Sequence, residues 1–315
     1  MSEAPAPLWV WDGIHAGVEP TGTAVVDYLD RNPSSGFFTS RVHPEAVQKG
    51  VRFLDDKEIG RYFCDSTFDR PLHTLNADER AVHKFVVEDS LNRPSDWSMI
   101  IDIHTAPSRN ANAVMLGSRI ELGVLALANV LGINNAILLP GYPLYDLFPT
   151  LVSVETAATP QSNPLLQPEY WHAKLIELSQ WSHEKRYSIA EKMHPLMRYH
   201  TQIDLMRLKF DGTVDKDTLE LVDWLEAHPL QSRDYFTPVK IPLEHQQRLN
   251  IEGANISIGG WDDYNHSPDM PELFGYRDDG RPRKLAFGAL LIEAQVYRPT
   301  NETVRLFNHS NAFQG

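Results

Sequence analysis

Short apolar runs alternate with helical stripes along roughly the first 190 residues. "LWVW" at positions 8–11 ends at Asp12-Gly13, the pattern of a buried strand meeting a turn. "TAVVDYLDRN" then carries Val25, Tyr28 and Leu29 at helical spacing and is stopped by "NPSSG". "FFTSRV" reads as a second strand. In "NADERAVHKFVVEDSL", Asn76 and Glu79 stand as a capping box before an apolar stripe of Ala81, Val82, Phe85 and Val86.

The strongest strand signal is "WSMIIDIH", which runs into the polar segment "TAPSRN". A helix in "ELGVLALANVLG" and strands in "NAILLP" and "LVSVE" follow. "EYWHAKLIELSQWSHEKR" then reads as one long amphipathic helix. Beyond His194-Pro195 the texture changes to short alternating runs broken by Gly, Pro and Asp-rich turns, as in "RLNIEGANISIGG" and "LAFGALLIEAQVYRP". The alternation of strands and helices predicts an α/β mixed sheet flanked by helices over residues 1–195. A smaller β-rich C-terminal domain is expected over 196–315, with ligands at the carboxyl ends of the strands.

Composition narrows the functions. A formal net charge of −13 on 315 residues opposes long-range attraction to nucleic acid or an anionic membrane, so neither is expected as a partner. The single cysteine, Cys64, excludes an internal disulfide and any Cys-x-x-Cys site. No signal peptide or long apolar run is evident, which makes the cytoplasm the expected location. Walker, Rossmann and Gly-x-Ser-x-Gly patterns are absent from the sequence.

Polar residues stand at three expected strand ends: His15 with Glu19, His104 in "IIDIHTA", and Glu155 in "LVSVETA". Two imidazoles and a carboxylate form a ligand set that suits Zn2+, with one position left for water. Glu155 beside such a water has the chemistry of a general base. Asp102, two residues before His104 on the same strand face, is placed to orient its imidazole. Taken singly, a histidine at a strand end is more often a hydrogen-bonded structural residue than a ligand, and a glutamate closing "LVSV" also reads as a solvent-facing group.

The order of these motifs resembles the aspartoacylase and succinylglutamate desuccinylase family, whose fold is similar to that of the zinc carboxypeptidases. "DGIHAGVEPTG" is similar to the family segment that supplies two zinc ligands, and "DIHTA" to the segment that supplies the third. The resemblance therefore implies His15, Glu19 and His104 as metal ligands. "FPTLVSVETAATPQ" is similar to the stretch carrying the catalytic glutamate, which falls on Glu155. "HPEAVQKGVRFLDDKEIGRYF" resembles the stretch that implies Arg52 as the group polarising the scissile carbonyl and Arg61 as a carboxylate anchor. "HPLQSRDYFTPV" and "LLIEAQVYRP" resemble segments of the aspartoacylase C-terminal domain, and the latter suggests Tyr297 as a pocket residue.

The chain also departs from the family pattern. Three residues, Ala16, Gly17 and Val18, separate its first His and Glu where the family has two. The family's Asn-Arg pair is Gly60-Arg61. "GYPLYDLFPTLVSV" contains Asp146 but no Lys or Arg where aspartoacylases carry a second anchoring arginine. The expected reaction is hydrolysis of the amide of a small N-acyl amino acid. Its amino-acid side chain is expected to be neutral or cationic and to face Asp146, unless Arg109 replaces the missing cation. The alternatives are a desuccinylase-like or peptide-trimming hydrolase and, in another class, a ligand binder without catalysis. A homo-oligomer is left open.

Overall fold

In a computed structural model, the described residues are 7–12, 20–49, 70–86, 99–106, 111–117, 119–139, 142–148, 150–157, 162–204, 236–238, 240–248, 251–263, 286–293, 295–297 and 303–307. The first strands are β1 (Leu8–Asp12), β2 (Phe37–Arg41), β3 (Met99–Ala106), β4 (Ala113–Leu116) and β5 (Arg119–Glu121). Then come β6 (Asn135–Leu138), β7 (Leu151–Ala157), β8 (Arg198–Asp204), β9 (Thr237–Pro238), β10 (Ile256–Asp263), β11 (Ala286–Glu293), β12 (Gln295–Tyr297) and β13 (Thr303–Phe307). A ten-stranded mixed sheet runs β2-β1-β3-β7-β4-β6-β8-β11-β10-β9, and β12-β13-β5 make a second, three-stranded sheet.

β2, β1, β3 and β7 are mutually parallel. β4 turns antiparallel to β7, and β6 and β8 follow parallel to β4. The expected change of pattern at 195/196 does not interrupt this sheet: β8 pairs with β6, and β11 with β8.

Apolar residues alternate across the sheet because successive side chains of a strand point to opposite faces. One face buries Leu8, Val10, Ile101, Ile103, Val152 and Val154 under helices α1 (Pro20–Arg31), α4 (Leu125–Leu131), α6 (Pro168–Ser179) and α7 (His183–Met193). The other buries Trp9, Trp11, Ile100, Met115, Ile137 and Leu151 under α2 (Pro44–Lys49), α3 (Ala77–Lys84) and α5 (Pro143–Leu147). The short helix α8 (Leu243–Arg248) follows β9. Helices on both faces leave the strand ends as the accessible rim.

Local chemistry sets the helix ends. The Asn76 carboxamide accepts from the Glu79 amide at 2.8 Å, and the Glu79 carboxylate accepts from the Asn76 amide at 2.9 Å, so the expected capping box opens α3. α4 ends at Gly132, whose φ of 71° is left-handed and suits glycine. The single helix expected over "EYWHAKLIELSQWSHEKR" is instead two, α6 and α7. Ser182 caps the second by accepting from the Lys185 amide at 3.3 Å, an alternative hydrogen bond that ends the first helix despite continuous apolar spacing.

Candidate active site

His104 and Glu155 are direct partners in the parallel β3–β7 register. Partners in a parallel pair share a face, so the two side chains project from one side of the sheet near the carboxyl ends of adjacent strands. Asp102 and Ser153, two residues earlier on each strand, are likewise partners on that face. The Thr156 hydroxyl donates to the His104 carbonyl at 2.7 Å, which ties the two strand ends together. Beyond Glu155, Asn112 accepts from the Ala157 amide at 2.9 Å, and Asn163 donates to the Ala157 carbonyl at 2.9 Å.

His104 is 4% exposed and Asp102 1% exposed. Nε2 of His104 meets Oδ2 of Asp102, and the same oxygen accepts the Ser153 hydroxyl at 2.9 Å. Tyr145, on α5, donates its hydroxyl to Ser153 Oγ at 2.9 Å. Burial drives the Tyr145 pKa far upward, so the phenol keeps its proton. On the same face, Trp11 is the register partner of Asp102, and its ring packs edge-on against Trp9, Phe85 and Phe148 at 4.9–5.0 Å. Buried polar contacts in such apolar surroundings are strengthened by the low local dielectric.

The segment 13–19, with His15 and Glu19, lies outside the described residues, but both of its flanks are described. β1 ends at Asp12 beside β3, with Trp11 opposite Asp102. α1 begins against the same strand: the Thr21 amide donates to Thr105 Oγ1 at 3.2 Å. Asp12 accepts from Thr23 at 3.2 Å and lies 3.9 Å from Arg41, which also pairs with Asp27 and Asp30. Burial lifts the Asp12 pKa to about 6 against the opposing pull of Thr23 and Arg41.

Of the residues singled out in the sequence, His104 and Glu155 are therefore adjacent, with Asp102 in the expected orienting position. Arg52, Arg61 and Arg109 lie outside the described residues. Asp146 belongs to α5, and Tyr297 to β12, where its register partner is Arg305. The side chains of both are outside the description. Among the described residues, no three His, Cys, Asp or Glu side chains gather into a metal site.

His104, the described member of the expected ligand set, meets the Asp102 carboxylate through Nε2, and a histidine backed by a carboxylate in this way has the chemistry to ligate a divalent metal. Sequence reasoning missed Ser153 and Tyr145. Ser153 leaves a trace, a polar residue within "LVSVE" in phase with Glu155, whereas Tyr145 leaves none.

The sheet can be set against known structures. No family model matches the sequence, and no curated protein does. Among solved structures, the succinylglutamate desuccinylase from Chromobacterium violaceum superposes with a TM-score of 0.56 at 14% identity, over 94% of this chain and 87% of that one. This chain has the desuccinylase fold. The desuccinylase-type fold recurs in the enzymes from Vibrio cholerae (TM-score 0.54, 13% identity, 97% and 86% covered) and Vibrio parahaemolyticus (0.54, 11%, 96% and 86%). The fold expected from the ordered motifs is thus the one found. Among the described residues, no helix is long and apolar enough to cross a membrane.

Proposed function

We propose that this desuccinylase-fold chain is a zinc-dependent hydrolase that cleaves the amide of a small N-acyl amino acid to a carboxylic acid and a free amino acid. The observation that carries this reading is the in-register pair His104–Glu155, with the imidazole held from behind by Asp102. The flanks of segment 13–19 add support, since both abut β3 close to His104. The solved neighbours named above are desuccinylases.

In this reading His15, Glu19 and His104 hold Zn2+, which when bound supplies Lewis-acid activation of water and of the amide carbonyl. Glu155 accepts a proton from the attacking water and returns it to the leaving amine nitrogen. Arg52 stabilises charge developing on the carbonyl oxygen, and Arg61 grips the substrate carboxylate in a bidentate pair. Asp146, Arg109 and Tyr297 are assigned to the pocket that selects the amino acid, with Asp146 favouring a neutral or cationic side chain.

The test is a panel of acidic, neutral and basic N-acyl amino acids offered to the zinc-loaded protein, with and without chelator. Turnover abolished by chelator is expected, with neutral or basic substrates preferred. Glu155→Gln is expected to lower kcat by on the order of 10²–10⁴ while zinc content stays unchanged. Full activity in Glu155→Gln would remove the assigned base. Bound zinc without turnover of any substrate would favour a binder on this fold.

A further inference from the structure

We propose that Tyr145 and Ser153 are positioning residues that, through Asp102, fix the tautomer of His104 and so set the affinity of the site for a divalent metal. The proposal rests on the reading of His104 as a metal ligand given above. Three buried hydrogen bonds form an unbroken line: Tyr145 hydroxyl to Ser153 Oγ at 2.9 Å, Ser153 hydroxyl to Asp102 Oδ2 at 2.9 Å, and Asp102 Oδ2 to Nε2 of His104.

The direction of every proton in this line follows from its end. A carboxylate only accepts, so Ser153 must spend its single proton on Asp102. Ser153 Oγ can then only accept from Tyr145, and the phenol donates. Nε2 of His104 must also donate to Asp102, which puts the neutral ring's proton on Nε2 and the lone pair on Nδ1. A ring locked in that state keeps its lone pair on Nδ1 without first choosing a tautomer or a rotation. Ser153 is fully buried and Asp102 nearly so, and no water is needed to complete the line.

Residues that act this way should affect metal binding even though neither touches the ion. Loss of an outer hydrogen-bond partner typically weakens metal affinity by about 10- to 100-fold. That figure belongs to the group directly behind the ligand, here Asp102. Ser153→Ala removes one of the two donors to Asp102 among the described residues and is expected to fall at the low end of that range, about 10-fold. Tyr145→Phe removes a bond one step further away and is expected to do less.

The experiment is a Zn2+ competition titration against a chromogenic chelator on the full chain, paired with thermal unfolding of the metal-free protein and the ring 15N shifts of His104. The expected pattern is loss of tight Zn2+ in His104→Ala, weaker binding in Ser153→Ala, and recovery in Ser153→Thr, which restores the hydroxyl. The double variant Tyr145→Phe with Ser153→Ala no longer strands a buried phenol, so it should unfold at a higher temperature than Ser153→Ala alone while its Zn2+ affinity stays low. His104 should show one protonated ring nitrogen in the wild type and mixed tautomers in Ser153→Ala.

Wild-type Zn2+ affinity in Ser153→Ala, with His104→Ala defective, overturns the line of positioning residues and leaves the metal reading standing. Recovery of affinity together with stability in the double variant also overturns it, because the role would then be structural. No Zn2+ binding by the wild type, or unchanged binding in His104→Ala, brings down the metal reading and this proposal with it. Should Ser153→Ala fail to fold, Tyr145→Phe decides through the same titration and 15N shifts: unchanged values overturn the proposal.

Discussion

Gly22 lies where α1 crosses β3, and a Cβ placed on it would come within 2.6 Å of the Ile103 carbonyl oxygen. That oxygen is backbone in the middle of the sheet and has no room to yield, so Gly22→Ala must lift the start of α1. The expected cost is about 1–3 kcal/mol in chemical denaturation; unchanged stability would refute the close approach. His200 is a different kind of residue. It is 3% exposed, neither ring nitrogen has a hydrogen-bond partner among the described residues, and its ring packs on Phe236 at 4.8 Å. Burial, with help from Arg198, lowers its pKa to about 4. A depressed pKa means that its contribution to stability is present above the unfolded value near 6.5 and is lost as pH falls toward 4. The loss amounts to about 3 kcal/mol by the conversion of pKa shift to free energy. His200→Leu should flatten stability between pH 6.5 and 4, and an unaltered profile would show that another group titrates there. At this scale the sequence conveyed what is local. The Asp102–His104 contact follows from strand alternation, but the need for glycine at position 22 and the Tyr145–Ser153 bond arise only when separate elements meet.

Between residue and fold, the elements that the sequence announced are those with chemical end signals. Asn76 and Glu79 define the start of α3, and the structure contains both reciprocal bonds. The helix matters beyond itself, since Val82 on it and Phe85 at its end pack in the same core as Trp9 and Trp11. Asn76→Ala is therefore expected to lower global stability by about 1 kcal/mol, read as a shift in the denaturation midpoint, and no shift would mean that the cap frays without consequence. The break between α6 and α7 escaped the periodicity because the apolar spacing continues through Trp181 while a side-chain hydrogen bond at Ser182 redirects the backbone. β4 escaped for another reason. Four residues, "AVML", buried on both faces, carry no alternation to separate them from a loop or a helix. Its antiparallel placement beside β7 follows from pairing across distant segments.

For the molecule as a whole, the sheet joins what the sequence pattern divides. The residues before 195 read as a catalytic α/β unit and those after as a β-rich one, yet β8 sits on β6 and carries β11, β10 and β9 outward. The cores are shared as well. Met197 and Tyr199 belong to the cluster that holds α1 and α4, and Leu291 belongs to the one that holds Trp9 and Trp11. A chain ending at Pro195 would expose the hydrogen-bonding edge of β6 and leave voids where Met197, Tyr199 and Leu291 pack. Unpaired central strands and emptied cores both carry heavy penalties. The intact protein is accordingly expected to melt in one calorimetric transition, and the 1–195 fragment to be aggregated or to melt far lower. Two separated transitions, with one reproduced by the soluble fragment, would show that the two parts fold independently and that the sheet seam is dispensable.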